Sequence, residues 1–291
     1  MNHDRITKEY DPPGIPLIDL LAFIKEDAPF GDVTSDSVVP DIEVSAVIIA
    51  RQDGVIAGLT EAEQLFTYYG ADARRMRNDG SAVGRGDILM TLSGPAGSVL
   101  LVERTALNII GRMSGISTKT KQFVDIIEEE GVQCRIASTR KTAPGLRVLD
   151  KKAVLLGGGE AHRFSLSDGI LIKDNHLELV PLPEAIAAVK TWSVYRKIEV
   201  EVENPEDAIL AAEAGADIIM LDNMTPDEVE YTLSELERQD LRQGRLIEIS
   251  GSVNEQNVRN YALPGVDIIS IGALTHSVSN FDVSLDITKN Q

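Results

Sequence analysis

Successive apolar runs in the second half of the chain end in residues able to hold charge or phosphate: Thr139-Arg140-Lys141, Lys173, Glu201, Asp222, Ser250 and Gly272. Arg140, Lys141, Arg163 and Lys173 offer forked guanidinium and point-charge ammonium donors, the groups that bind carboxylates and phosphates. The stretch 135–176 holds eight Lys or Arg against four acids, although the whole chain has 28 basic and 46 acidic residues and a net charge of −18. A basic island in an acidic chain points to a pocket for a small polyanion, against the plainer reading of a solvated face. Glu201 and Asp222 cannot touch the same anions without repulsion, so they require a Mg²⁺ ion, sugar hydroxyls or a developing cation in between. Ser250-Gly251-Ser252 and Ile271-Gly272-Ala273 offer backbone N–H groups after the last two strand-like runs, where phosphate can sit at a helix start.

Other chemistries fit the sequence less well. The four histidines, His3, His162, His176 and His276, form no His-Glu-x-x-His pattern, and with one cysteine there is no Cys-rich zinc motif. Cys134 opens an apolar run and reads as a small buried side chain. Gly157-Gly158-Gly159 is either a phosphate loop or a hinge into His162-Arg163, since it lacks the Lys-Ser/Thr ending of a P-loop. A lysine at a strand end can also form a Schiff base, which keeps an aldolase-type role for Lys173 as an alternative.

A fold must bring these residues together. Before residue 100, the run 44–50, the Asp53-Gly54 turn into 55–58 and the run 88–92, with a helix over 61–69 between, read as an antiparallel α+β domain with a hairpin at Asp53-Gly54. From residue 99 to about 130, Leu107, Ile110, Met113 and Ile116 recur at helical spacing. Beyond, six strand-like runs alternate with helices over 182–190, 205–214 and 226–238. That alternation argues for parallel strands, because each crossover needs a helix to carry the chain back. An α/β barrel would gather every strand end into one ring, whereas a doubly wound open sheet would gather only some. The expected domains are 1–115, joined by the tail 277–291, and a barrel over 116–276.

Composition narrows the partners. With 43% apolar and 25% charged residues in 291, the chain can bury sizeable cores. Its negative charge repels nucleic acid and anionic membranes. The N-terminus lacks the apolar core of a signal peptide, no segment is long and apolar enough to span a bilayer, and the lone cysteine suits a reducing, cytoplasmic setting.

Together these residues resemble a known family. The carriers are Gly31-Asp32-Val33-Thr34-Ser35, Glu103-Arg104-Thr105-Ala106-Leu107-Asn108, Ser114-Gly115-Ile116, Thr139-Arg140-Lys141-Thr142 and Pro144-Gly145-Leu146-Arg147. They continue with Gly157-Gly158-Gly159, His162-Arg163, Leu171-Ile172-Lys173-Asp174-Asn175-His176, Glu199-Val200-Glu201-Val202, Met220-Leu221-Asp222-Asn223 and Leu274-Thr275-His276-Ser277. In this order, over residues 20–280, they resemble the quinolinate phosphoribosyltransferases, also called carboxylating nicotinate-nucleotide pyrophosphorylases. A paralogue associated with molybdenum transport shares part of the pattern.

The resemblance implies a mixed α/β N-terminal domain, an open seven-stranded α/β barrel, and a homodimer or multiple of dimers with shared active sites. It implies a pentosyl transfer, with Mg²⁺, from phosphoribosyl pyrophosphate to quinolinate, yielding nicotinate mononucleotide, pyrophosphate and CO₂ in NAD biosynthesis. By position, Thr139, Arg140, Lys141, His162 and Arg163 would meet quinolinate, with Arg104 reaching in from the partner subunit. Lys173 would face the sugar diphosphate, Glu201 and Asp222 would hold Mg²⁺ and ribose, and Ser250-Gly251-Ser252 with Ile271-Gly272-Ala273 would hold phosphate. Ser138, Ala161 and Ser252 stand where the family commonly has Asp, Asn and Gly.

Overall fold

The computed structural model describes residues 15–289, so His3 and the N-terminal stretch lie outside the described residues. The chain divides into two compact units: Met1–Gly115 with Val148–Leu156 and Asn280–Gln291, and Ile116–Arg147 with Gly157–Ser279.

The first unit opens with helices α1 (Leu17–Asp27) and α2 (Val33–Val38). The Asp32 carboxylate caps α2 by accepting the backbone N–H groups of Thr34 and Ser35. Strands β1 (Glu43–Ala50) and β2 (Gly54–Val55), helix α3 (Leu59–Tyr68), and strands β3 (Asp72–Arg75), β4 (Ala82–Val83) and β5 (Ile88–Pro95) follow. On β1 the residues Val44, Ala46, Ile48 and Ala50 are buried, every second position, as a sheet with one face on a core requires. The tail supplies β12 (Val283–Lys289), and the antiparallel order is β12-β1-β5-β3.

The hairpin expected at Asp53-Gly54 does not form. There β2 pairs with β4, and Asp53 instead accepts the Arg85 backbone N–H at 2.7 Å, joining two loops.

Helix α4 (Ala96–Glu129) runs unbroken through the boundary between the units. Gly111 within it is a point of close approach: an added Cβ would lie 3.1 Å from the Phe281 carbonyl oxygen. One segment departs from the expected boundaries. Helix α5 (Arg147–Leu156) lies within the barrel's sequence, yet its residues from Val148 onward belong to the first unit. Buried charge explains this: Lys152 pairs with Glu61 at 2.8 Å, and Arg112 grips Asp150 at 2.7 and 2.9 Å.

The second unit is a parallel sheet of β6 (Arg135–Ala137), β7 (Ile170–Ile172), β8 (Ile198–Val202), β9 (Ile218–Asp222), β10 (Leu246–Ser250) and β11 (Ile268–Ser270), in the order β6-β11-β10-β9-β8-β7. Outside β6 lies a seventh position, reduced to one bridge between Ala137 and Glu160. Two backbone hydrogen bonds make it, Ser138 N–H to Glu160 O and Glu160 N–H to Ile136 O. The seventh strand of the open barrel is therefore one residue long. Sequence explains its brevity: Gly158 before it has φ 86° and His162 after it has φ 54°, so the chain cannot stay extended. Gly157 is a point of close packing, since an added Cβ would lie 2.5 Å from the Ser117 carbonyl oxygen.

Helices α6 (Asp174–Leu177), α7 (Leu182–Trp192), α8 (Pro205–Ala214), α9 (Pro226–Arg238) and α10 (Ala273–His276), with a 3₁₀ turn at Val258–Tyr261, complete the unit. Each of α8 and α9 begins with proline after a capping side chain, Asn204 and Thr225 respectively. Phe123 and Ile127 of α4, Ile186 of α7, Ala211 of α8 and Leu236 of α9 pack on Val200, Ile219, Leu221, Ile247 and Ile249 of the strands.

Candidate active site

Side chains two apart on a strand point the same way. Val200 and Val202 of β8, Ile219 and Leu221 of β9, and Ile247 and Ile249 of β10 join the core under the helices. The intervening residues Glu199 and Glu201, Met220 and Asp222, Glu248 and Ser250 consequently turn inward. At the C-terminal strand ends lies a cavity of about 350 Å³ lined by Thr139, Arg140, Lys141, His162, Arg163, Lys173, Glu201, Asp222 and Ser250, with Leu171, Met220, Glu248 and Ser270 beneath. Most of the expected site residues thus share one hollow. A larger hollow of about 450 Å³ in the first unit is lined by Asp32, Asp36 and Asp41 and by no Lys or Arg, so it offers no counter-charge to an anion.

One wall of the cavity is basic. The Nε of Arg140 is buried without a hydrogen-bond partner. Burial and the neighbouring Arg140 pull Arg163 below the ordinary guanidinium range. The loop bearing Lys141 is pinned twice, by Thr139 Oγ accepting the Lys141 N–H at 3.1 Å and by Thr275 Oγ donating to the Lys141 carbonyl at 2.9 Å. Gly272 leaves room for the Lys141 side chain and the His276 ring, each about 3.1 Å from where a Cβ would stand.

The facing wall carries the acids. Lys173 is ion-paired with Glu201, which is 12% exposed at the side chain. This contact leaves the Lys173 nitrogen engaged rather than presented to a carbonyl. Asp222 accepts the Asn223 side-chain amide at 2.8 Å. Below the strand end, Gly251 takes φ 90° beside Asn223, whose amide oxygen would lie 2.3 Å from an added Cβ. Ser252 holds φ 52°, and its carbonyl accepts from the Asn254 and Asn257 amides at 3.3 and 3.1 Å. Ile271, expected at the phosphate, is 1% exposed and its N–H donates to the Ala137 carbonyl at 2.8 Å, so neither its side chain nor its N–H is presented to a ligand.

Beneath both walls lie two acids that strand-end reasoning passed over, Glu199 and Glu248, 5% and 1% exposed. Their signal was present in Ile198-Glu199-Val200-Glu201 and Ile247-Glu248-Ile249-Ser250, where polar residues two apart in an apolar strand must face one interior. Nε2 of His162 stands 3.1 Å from Glu199 and 3.4 Å from Glu248, and Nδ1 accepts the Arg163 backbone N–H at 2.7 Å. Both ring nitrogens are therefore engaged within the protein. An Nδ1 that accepts the Arg163 N–H carries no proton, so the ring is the Nε2–H tautomer, and against the pull of burial the Glu199 hydrogen bond with the charges of both acids holds the Nε2 proton in place. Burial likewise pushes Glu199 up.

Arg104 is not among the residues lining this cavity. It lies on α4 in the first unit, exposed, with no hydrogen bond or ion pair to a described residue. Cys134, expected to be buried, is half-buried at the edge of the core, and burial and Asp267 push its thiol up to about 12.

Two family models match the sequence: the quinolinate phosphoribosyl transferase N-terminal domain over residues 32–114 and the C-terminal domain over 116–286. A probable carboxylating nicotinate-nucleotide pyrophosphorylase of Archaeoglobus fulgidus is 45% identical over 259 residues, covering 89% of this chain and 99% of that protein. The corresponding Methanothermobacter thermautotrophicus protein is 42% identical over 267 residues, covering 91% and 96%. Among solved structures, the nicotinate-nucleotide pyrophosphorylase of Ehrlichia chaffeensis superposes with a TM-score of 0.89 at 36% identity, covering 95% of this chain and 100% of that one.

Proposed function

This chain belongs to the quinolinate phosphoribosyltransferase family, and we propose that its barrel mouth sorts the two substrates of that reaction by charge. The enzyme transfers phosphoribosyl from phosphoribosyl pyrophosphate to quinolinate with loss of CO₂, giving nicotinate mononucleotide and pyrophosphate in NAD biosynthesis. Quinolinate carries two carboxylates on adjacent ring carbons, and Arg140, Lys141 and Arg163 supply donors for both. The observation that carries this assignment is the cavity wall shared by Arg140, Lys141 and Arg163, where burial and the charge of Arg140 lower Arg163 and the Arg140 Nε has no hydrogen-bond partner among the described residues. Such an arrangement is stabilised by a bound dianion.

The acidic wall takes the sugar. As the quinolinate nitrogen bonds to the anomeric carbon, the C–O bond to pyrophosphate breaks and positive charge develops on the ribose. Glu201 and Asp222 stabilise that charge or hold the hydroxyls, while Lys173 meets the departing pyrophosphate. The turns at Ser250-Gly251-Ser252 and Gly272-Ala273 offer backbone N–H groups to the remaining phosphate, the Ile271 N–H being taken by the Ala137 carbonyl. After transfer, the carboxylate beside the now cationic ring nitrogen leaves as CO₂, its bonding electrons fall to the ring carbon, and a proton replaces it. Little acid–base help is needed there.

Glu201 and Asp222 fit Mg²⁺. They are hard oxygen donors at the ends of adjacent strands, and the only group of three potential metal ligands found among the described residues lies elsewhere, at His162, Glu199 and Glu248. Two carboxylates completed by phosphate and water are the shell Mg²⁺ prefers over an all-protein cage. When bound, the ion neutralises charge on the departing pyrophosphate.

The reading extends to a homodimer, or a multiple of it, in which Arg104 serves the partner's site; its exposed, unpaired side chain supports this. No described helix is long and apolar enough to cross a membrane, and the lone Cys134 suits the cytoplasm. The test is incubation with phosphoribosyl pyrophosphate, Mg²⁺ and either quinolinate or nicotinate, following nucleotide and CO₂. Nicotinate leaves one of the half-buried basic donors without its carboxylate, a lost charge-assisted hydrogen bond of about 1.5–3 kcal/mol, so quinolinate should be preferred about tenfold or more. Comparable turnover of nicotinate overturns the reading.

A further inference from the structure

Glu199 and Glu248 are buried acids below a pocket built for anions, and the reaction has no direct use for them at that depth. They stand one inward step below Glu201 and Ser250 on β8 and β10. A buried carboxylate is costly unless it is paired, and two together cost more. Facing both is one group, His162 Nε2 at 3.1 and 3.4 Å. Glu248 accepts no hydrogen bond from any described residue, and among the described residues the one basic group within salt-bridge distance of it is the His162 ring.

We infer that Glu199 and Glu248 are positioning residues for the quinolinate carboxylates, acting through His162 to fix Arg163. The inference rests on the reading of Arg163 as a carboxylate donor. The contacts run without a gap: the two acids hold Nε2, and Nδ1 accepts the backbone N–H of Arg163 at 2.7 Å. A turn of the imidazole therefore moves the residue that bears the guanidinium.

Two further observations need such a hold. The His162 backbone sits at φ 54°, a left-handed conformation that is costly for a non-glycine residue, and its ring contacts offset that cost. Arg163 also stands against the repulsion of Arg140, while its guanidinium has one long protein hydrogen bond among the described residues, to the Gly169 carbonyl at 3.4 Å. Against burial and Arg140, the charge of Glu199 favours the charged form of Arg163.

The test is Glu248→Gln, which keeps the shape and removes the charge. Loss of a hold on a charged group predicts a quinolinate KM raised about tenfold, with kcat within about twofold and the phosphoribosyl pyrophosphate KM unchanged. In an Arg163→Ala background, the same substitution should add less than about twofold, because the residue it acts through is gone. A merely structural role would move both KM values together, or lower kcat alone, or add its full effect in the Arg163→Ala background; any of these overturns the inference. If Glu248→Gln gives no folded protein by circular dichroism, Glu199→Gln, which faces the same nitrogen, carries the same expectations and the same refutations. Wild-type protein that fails to turn over quinolinate would refute the functional reading instead, whereas an active wild type with unmoved KM in the variants refutes this inference alone.

Discussion

Lys173, just beyond β7, and Glu201, at the mouth end of β8, are ion-paired across neighbouring strands. Each is the other's counter-charge at the point where the sugar diphosphate would lie. Removing one therefore changes what the other is free to bind, and the two removals should move Mg²⁺ dependence in opposite directions. Lys173→Met should lower turnover by roughly 10²–10³-fold yet reach half-maximal rate at less Mg²⁺, since Glu201 is released. Glu201→Gln should also be slow but require more Mg²⁺. Titration of initial rates with Mg²⁺ reads both, and shifts of the same sign would reject this division of labour.

Arg104 and Lys141 should complement each other between subunits. Arg104→Ala and Lys141→Ala each strip every site of one anion donor and should be nearly inactive alone. In a mixed dimer, one site carries both lesions and the other carries neither. With random exchange half the dimers are mixed and half their sites intact, so about a quarter of wild-type activity should return. Co-expression with two affinity tags isolates the hybrids. Hybrids as inactive as their parents would confine Arg104 to its own chain.

Lys152 and Glu61 form a buried ion pair, 6% and 1% exposed at the side chains, and the second Glu61 oxygen has no hydrogen-bond partner. Lys152→Ala leaves an uncompensated charge and should cost ~3–5 kcal/mol in urea unfolding. The double change Lys152→Met with Glu61→Leu should recover most of it, because well-packed apolar pairs often match buried ion pairs. A single variant within about 1 kcal/mol of wild type would show the pair to be dispensable, as surface pairs often are.

Cys134 should be inert in the folded protein. With its thiol pushed up to about 12, the thiolate that reacts with disulfide reagents is scarce at pH 8 and grows about tenfold per pH unit toward 12. Above the ordinary thiol range the unfolded chain ionises first, so this residue's contribution to stability is lost as pH rises toward 12. Rapid labelling of native protein at pH 8, at the rate seen in denaturant, would contradict the raised thiol.

Sequence patterning located the barrel because the period-2 strands and the helices between them are local signals, and Pro226 with its Thr225 cap marks α9 at its observed start. The mouth residues were legible for the same reason: they follow apolar runs directly. Long-range pairing was not. Asp53-Gly54 carries the local chemistry of a hairpin, but β1 finds better partners in β5 and β12, far away in sequence. Glu199 and Glu248 were missed because attention to strand ends overlooks the layer beneath, and the place of α5 depends on ion pairs to residues that lie up to 91 positions away.

Among the described residues, β7 pairs only with β8, and the Glu160 bridge joins only β6. An open barrel thus has two bare sheet margins, and bare margins are templates onto which strands of other chains can add. Here one margin is three residues long and gives way at once to Lys173 and Asp174, while the other is a single residue closed off by the left-handed turn at His162. Neither offers enough consecutive backbone donors and acceptors to nucleate a foreign strand. The brevity that leaves room for the His162-Arg163 loop also guards the protein against polymerising edge to edge.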